Sequence, residues 1–170
     1  YVAINQEAFE AALKFGLPYE MKQHTGLIPM LHVSAHGSSD GIQLSSGEVM
    51  TWSALRALLL PINKAFNGCL IVCMSTCEGY AGIRMAMTKD ADLPFFAIVG
   101  NGEKPTWPET AVAFATFYHL MAQGRTPPQA AQAMCAASGN STFFTQTAKS
   151  TQQGYIEYVK QHLNVESAQQ

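Results

Sequence analysis

The 170-residue sequence predicts an α/β protein that forms one domain over residues 1–170, with a mostly parallel sheet and helices on both faces. Three segments are continuously apolar, as strands buried on both faces of a parallel sheet are: residues 27–35, 69–75 and 94–99. Segments of helical composition lie between them, which is the order expected when helices connect parallel strands. No internal repeat or linker divides the sequence.

Local signals assign the remaining elements in chain order. In the first half we expect a short strand at 1–5, a helix at 6–15 that ends at Gly16-Leu17-Pro18, a hairpin-like stretch at 38–47, and a helix at 51–60 capped by Thr51 and ended by Pro61. In the second half we expect a short helix at 82–89, a loop at 100–108, helices at 109–123 and 127–137, a Ser/Thr/Gln-rich loop at 138–153, a helix at 155–163 and a frayed tail.

Composition narrows the classes of partner. The formal net charge is −2, and Lys and Arg form no cluster, so the sequence has no electrostatic signature of nucleic-acid or anionic-membrane binding. Charged residues make up only 13%, which indicates that part of the surface is covered by an attached domain or a partner protein. We therefore expect a segment of a longer polypeptide. Four cysteines in a chain of this length do not resemble a secreted disulfide framework, and a cytoplasmic location is expected.

Two segments carry the chemistry. LHVSAHGSSDG at 31–41 and LIVCMSTCEGYAG at 70–82 each run from an apolar stretch into a turn of small residues. One turn presents His36 and the other presents Cys77. If the two strands are adjacent and parallel, both side chains lie above the carboxyl edge of the sheet, where open α/β folds build their sites. An imidazole beside a thiol can remove its proton and leave a nucleophilic thiolate.

These segments resemble the CHAT domain, a branch of the caspase-like cysteine peptidases. The similar blocks are Ala35-His36-Gly37, Ser75-Thr76-Cys77-Glu78-Gly79, and AFATFYHLMAQGRTPPQAAQAM at 113–134. Together they span roughly residues 27–137. The resemblance implies a caspase-like three-layer sandwich and a cysteine endopeptidase that forms an acyl-enzyme intermediate on a peptide or protein substrate.

The resemblance also implies residue roles. Cys77 is the implied nucleophile and His36 the general base and acid, while the backbone N–H groups of Gly37 and Cys77 form the oxyanion hole. A glycine at position 37 suits this role because a Cβ there would crowd the scissile peptide. Related metacaspases carry an Asp two residues before the cysteine, whereas this chain has Ser75, so a preference for Lys or Arg does not transfer.

Substrate selection is expected in the loops above the sheet. The candidate residues are Ser75, Asp40, Glu103 and Trp107. Either acidic residue could meet a basic side chain and Trp107 could wall a pocket, but Asp40-Gly41 is also a plain turn signal. Because these loops are rich in Gly, Pro, Ser and Thr, we expect a regulatory domain or partner to order 100–108 and 138–153 before the enzyme is active.

Several alternatives stay open. The same fold could serve as a catalytically silent protein-interaction module, or the same thiol could transfer an acyl group to a small molecule. His32 is interpreted as a buried histidine that hydrogen-bonds its neighbours, with a supporting role at the site as the alternative. The spacing of Cys69, Cys73 and Cys77 along a strand places the outer two about 26 Å apart at roughly 3.3 Å per residue, too far to share one ion. Neither a metal nor a cofactor is expected.

Overall fold

The main sheet contains four strands in the order β1-β5-β6-β7. The computed structural model describes residues 1–27 and 29–167. The strands of this sheet are β1 Met30–Ser34, β5 Ile71–Ser75, β6 Ala97–Asn101 and β7 Phe143–Thr147. The first three are parallel, with His32 opposite Cys73 and Cys73 opposite Val99. β7 pairs antiparallel with β6. The predicted α/β class with a mostly parallel sheet is confirmed.

A second, antiparallel sheet follows β1 directly. Its three strands are β2 His36–Ser38, β3 Gly41–Gln43 and β4 Val49–Thr51, paired in that order. β3 packs closely against β4, because Gly41 lies against the backbone of Met50 and Thr51, where a Cβ would overlap both. The predicted hairpin at 38–47 is therefore present as part of a larger three-stranded unit that begins at His36.

Six α-helices occur in the described residues. They are α1 Gln6–Ala11, α2 Leu17–Gln23, α3 Trp52–Ala65, α4 Trp107–Ala122, α5 Pro127–Ser138 and α6 Ala148–Ser167. A π-helical turn, Ala12–Gly16, joins α1 to α2, and a 3₁₀ helix, Gly79–Ala86, follows the end of β5. The cap of α4 is reciprocal, because Thr106 accepts from the backbone of Glu109 while the Glu109 carboxylate accepts from that of Thr106.

Two apolar clusters cover the opposite faces of the main sheet. Val72, Met74 and Ile98 point into a cluster with α3 and the 3₁₀ helix, while alternate residues point to α4 and α5. The second cluster contains Ile71, Cys73, Val99, Ala113, Phe114, Phe117, Ala130, Ala131, Met134 and Phe143. All five residues of β5 are buried, as its continuous apolar sequence predicts. Because β5 is held by apolar contacts on both faces, the turn with Cys77 begins from a rigid strand.

Three expectations for the first half are wrong. Residues 1–5 form no strand, and Asn5 instead caps α1 by accepting from Ala8 N at 2.9 Å. Gly16-Leu17-Pro18 does not end the helix, because the π turn runs through Gly16 and Pro18 falls in the first turn of α2, a position that tolerates proline. Pro61 lies inside α3, which buries Leu55, Leu59 and Ile62 and is held by tertiary packing.

Two further expectations need correction. The strand at 27–35 is shorter and is not buried throughout, since β1 lies at the sheet edge and exposes Met30, His32 and Ser34. The segment 138–153 is not a loop, because it contains β7 and the first residues of α6. Ile28 and residues 168–170, on which most of the expected frayed tail falls, lie outside the described residues. Among the helices of the described residues, none is long and apolar enough to cross a membrane.

Candidate active site

The Cys77 turn leaves the sheet through an unusual backbone conformation. β5 ends at Ser75, and Glu78 adopts the left-handed region with φ 51° and ψ 24°. This conformation costs a residue with a Cβ about 1 kcal/mol or more, so it must be held by its surroundings. Gly79, directly after it, is buried against Met74 and Thr76 with no room for a Cβ. The turn carries Cys77 out of the core to a half-buried position.

His36 reaches the same place from the neighbouring strand. It is the first residue of β2 and is exposed, so it lies on a short strand of the second sheet rather than in a turn. Ala35 separates β2 from β1 and redirects the chain. Because β1 pairs directly with β5, with Ser34 opposite Ser75, the two turns begin at the same edge of the sheet.

Gly37 brings the two turns into contact. A Cβ built on it would overlap the carbonyl oxygen of Cys77 and lie 2.8 Å from both Cβ and Oγ1 of Thr76. The backbone beside His36 is thus packed onto the backbone of Cys77. Among the side-chain hydrogen bonds of the described residues, none joins the Cys77 thiol to the His36 ring. Catalytic contacts often tighten only when substrate binds.

The backbone donors of the Cys77 turn divide into engaged and unengaged groups. Glu78 N donates to Glu103 O at 2.6 Å, and Gly79 N donates to Thr76 O at 3.2 Å. Within the part of the chain that the structure describes, the N–H of Cys77 donates to no protein acceptor. An unengaged N–H beside a nucleophile can donate to a developing oxyanion. Gly37, the other predicted donor, pairs opposite Ile42 in the β2–β3 ladder.

The four substrate-binding candidates lie in different surroundings. Ser75 is buried, with 8% of its surface exposed. Asp40 is exposed at the tip of the β2–β3 hairpin, where its N–H donates to Ser38 Oγ as a turn residue does. Glu103 is exposed on the loop that holds Glu78. Trp107, the first residue of α4, exposes 71% of its surface and lines a groove with His36.

The hydroxyl of Thr76 has no hydrogen-bond partner among the described residues, although Thr76 exposes only 3% of its surface. It lies between the backbones of Gly37 and Gly79, at the junction of the two turns. No sequence motif distinguishes the role of Thr76 from that of an ordinary turn residue.

Replacing Thr76 with valine is expected to stabilise the fold by about 1 kcal/mol, because an unpaired buried hydroxyl carries a desolvation cost that a methyl group does not. Urea unfolding measures the change. Thr151→Val is the matched control: Thr151 is also buried, but its hydroxyl donates to Thr147 O at 3.2 Å, so its loss should destabilise. Equal effects of the two substitutions would contradict the assignment of Thr76 as unpaired.

A second polar cluster lies under the groove. The Tyr118 hydroxyl from α4 and His32 Nδ1 from β1 are 2.5 Å apart, and the His32 ring packs edge-on against Phe114. The expected hydrogen bonding of His32 is thus observed, although the residue is exposed. Burial raises the pKa of the Cys73 thiol to about 11, opposed by hydrogen bonding with Tyr118. Burial, reinforced by Cys73, also raises the pKa of Tyr118 well above its usual value.

Stability should depend on pH through His32. Desolvation lowers the pKa of its ring in the folded state below the ordinary value of about 6.5. The unfolded chain therefore takes up a proton before the folded chain does, and stability present above pH 6.5 is lost as the pH falls toward the folded-state pKa. Urea unfolding at pH 7.5 and 5.5 should show a larger loss for the wild type than for His32→Gln. Parallel pH profiles of the two proteins would rule this out.

The remaining cysteines do not extend the site. Cys69 is exposed, Cys73 is buried and Cys135 is half-buried; all four cysteines, which fall within the described residues, are free. No group of three His, Cys, Asp or Glu side chains in the described residues is arranged to hold a metal ion. The site is thus assembled from two backbone turns, an exposed imidazole and a half-buried thiol.

Comparison with known proteins adds no assignment. No protein-family model matches this chain, and no curated protein sequence matches it.

Proposed function

We propose that the chain is a cysteine endopeptidase with the caspase-like three-layer architecture of CHAT domains, in which Cys77 and His36 form a catalytic dyad. The observation that carries the proposal is the contact of Gly37 with Thr76 and Cys77, because it packs the backbone next to His36 against the turn with Cys77. Support also comes from the pairing of β1 with β5 and from the strained Glu78, since backbone strain concentrates at functional sites.

The chemistry follows from the two side chains. His36 takes the thiol proton, and the Cys77 thiolate attacks the peptide carbonyl carbon to form a C–S bond. The carbonyl oxygen becomes an oxyanion, toward which the Cys77 N–H can donate. When the C–N bond breaks, the leaving amine receives the proton from His36. Water then loses a proton to His36 and hydrolyses the thioester, which releases the acid and restores the thiol.

The test is labelling with peptidyl acyloxymethyl ketones, whose ketone is attacked by a thiolate with loss of the carboxylate group. A panel carrying Arg, Asp, Leu or Phe next to the ketone covers the main classes of side chain. We expect at least one member to add once, at Cys77, as located by peptide mass spectrometry.

Iodoacetamide provides the control for this labelling, because it has no peptide to be recognised. It should modify the exposed Cys69, which lies outside the site. Ketone labelling confined to Cys69, or spread over all accessible cysteines at similar rates, would contradict the proposed peptidase function.

A catalytically silent interaction module is the second candidate. The observation that favours it is the lack of a hydrogen bond between Cys77 and His36 within the described residues. This candidate predicts that no ketone of the panel labels Cys77 faster than it labels Cys69, even when the protein is fully folded.

We also propose that an attached domain or partner protein activates the enzyme, which would work in the reducing cytoplasm. The 102–106 loop contacts the Cys77 turn through the hydrogen bond from Glu78 N to Glu103 O, and it leads into the exposed Trp107. A protein bound to this loop would therefore alter the position of the Cys77 turn. The segment 138–153 has no part in this, because β7 and α6 already order it. Labelling that is fast without any partner would contradict this regulation.

A further inference from the structure

A groove of about 290 Å³ lies on the His36 side of the site. Its walls include Phe9, His32, Ser34, His36, Leu44 and Trp107. Apolar and polar side chains are both present, as in sites that bind a peptide through its main chain and one side chain. The groove is continuous with the proposed dyad because His36 itself is part of the wall. An occupant of this groove is therefore in contact with the general base.

His32 presents a defined hydrogen-bonding group to this groove. Its Nδ1 is engaged by Tyr118, and within the described residues its Nε2 has no protein partner. The raised pKa of Tyr118 keeps the phenol protonated. Within the described residues, His32 Nδ1 is the one nitrogen or oxygen partner of the Tyr118 hydroxyl, and a buried hydroxyl places its proton on an acceptor. Tyr118 therefore donates its proton to Nδ1 of His32.

This direction of donation determines the histidine tautomer. A neutral ring that accepts at Nδ1 carries its proton at Nε2. The titratable groups that line the groove with His32 are His36 from β2 and Tyr1 from the N-terminal segment, while Tyr118 and Cys73 lie behind the His32 ring. Neither group is a carboxylate, so no anionic side chain of the groove wall competes for the Nε2 proton. His32 is left with one free donor.

We infer that His32 is a substrate-binding residue whose Nε2–H donates to a main-chain carbonyl oxygen of an extended peptide lying in the groove beside His36. The inference rests on the proposed peptidase function for the identity of the occupant. Tyr118 is the positioning residue, since it fixes the tautomer and holds the ring without entering the groove wall. A neutral carbonyl is the acceptor that a neutral N–H donor accommodates without burying a charge.

Histidine ¹⁵N NMR tests the tautomer independently of catalysis. In Cys77→Ala protein at pH 7.5, His32 is expected as the Nε2–H tautomer, and in Cys77→Ala/Tyr118→Phe protein as a mixture of the two. Adding tripeptide amides with Arg, Asp, Leu or Phe at the C-terminal position should shift the His32 Nε2 resonance. An Nδ1–H tautomer in the parent protein, or no shift with any of the four amides, would overturn the inference.

Inactivation kinetics test the role in binding. His32→Phe keeps a ring but removes both nitrogens, and it should raise the KI of the best acyloxymethyl ketone about tenfold, equivalent to about 1.4 kcal/mol, with kinact little changed. His32→Gln, whose amide N–H reaches a similar position, should recover most of the affinity. His119→Phe is the control, because His119 is exposed on α4 and pairs with Gln123. Equal KI values for wild type and His32→Phe would refute the inference.

The two experiments separate this inference from the proposed function. Labelling at Cys77 with an unmoved His32 resonance and an unchanged KI means that the peptidase function stands and the groove assignment fails. A shifted His32 resonance without labelling of Cys77 by any ketone means that the groove binds peptide and the peptidase function fails.

Discussion

Cys77→Ala is expected to abolish labelling by peptidyl ketones, and His36→Ala to slow it about 10²- to 10⁴-fold, which is the usual contribution of general acid–base catalysis. The first variant has no nucleophile, and the second keeps a thiol that lacks its proton acceptor. Cys77 is half-buried and His36 is exposed, so neither substitution leaves a large cavity. Rates are measured by intact mass spectrometry, and circular dichroism confirms that each variant is folded.

Cys73→Ala and Cys69→Ala are the matched controls for this prediction. Cys73 lies on β5 and is buried below the site, and Cys69 is exposed before β5 begins. Both variants should label at the wild-type rate once the folded fraction is taken into account. If Cys73→Ala silenced labelling in a folded protein while Cys77→Ala did not, the nucleophile would have been assigned to the wrong cysteine.

Gly37→Ala is expected to lower the free energy of unfolding by about 1–3 kcal/mol, the usual cost of overpacking, and to slow ketone labelling at least tenfold. The added methyl group would meet the carbonyl of Cys77 and the side chain of Thr76, and the Cys77 carbonyl is backbone that cannot rotate away. The His36 turn must therefore shift from the Cys77 turn. Urea unfolding and labelling rates measure the two effects on one protein.

Gly154→Ala is the control for this substitution. Gly154 lies inside α6 with nothing within 4 Å of an added Cβ, so alanine there should stabilise the helix by about 0.5–1 kcal/mol. Labelling should not change. A Gly37→Ala protein as stable and as reactive as the wild type would show that the two turns are not packed together as described.

The central strands of the main sheet could be predicted because burial leaves a direct trace in sequence. The strand β5 is apolar at nearly every position, and its neighbour β6 begins with three apolar residues; both strands are buried along their whole length. The same principle explains the failure at β7. Its sequence, FFTQT, is half polar and lies within a Ser/Thr-rich stretch, yet aromatic and threonine residues favour strands and the edge of β6 was open to pairing.

Other features depend on contacts that no local pattern records. His32 and Tyr118 are 86 residues apart, and only the packing of α4 on the sheet brings them together. Local sequence rules predicted that Pro61 ends the helix, but the packing of the buried face of α3 keeps the helix continuous through Pro61. The sequence motifs indicated which residues carry the chemistry. They did not indicate which long-range partners hold those residues in place.

Because Glu78 N donates to Glu103 O, the exchange of this one amide hydrogen reports whether the 102–106 loop lies against the Cys77 turn, at the entrance to the site. The amide belongs to the residue after the proposed nucleophile, and its acceptor is a carbonyl of the loop that leads into α4. Its hydrogen can exchange with solvent only when the loop lifts from the turn, so its exchange rate measures how often the entrance opens. A single exchange rate, read before and after a partner binds, would therefore register activation without any substrate.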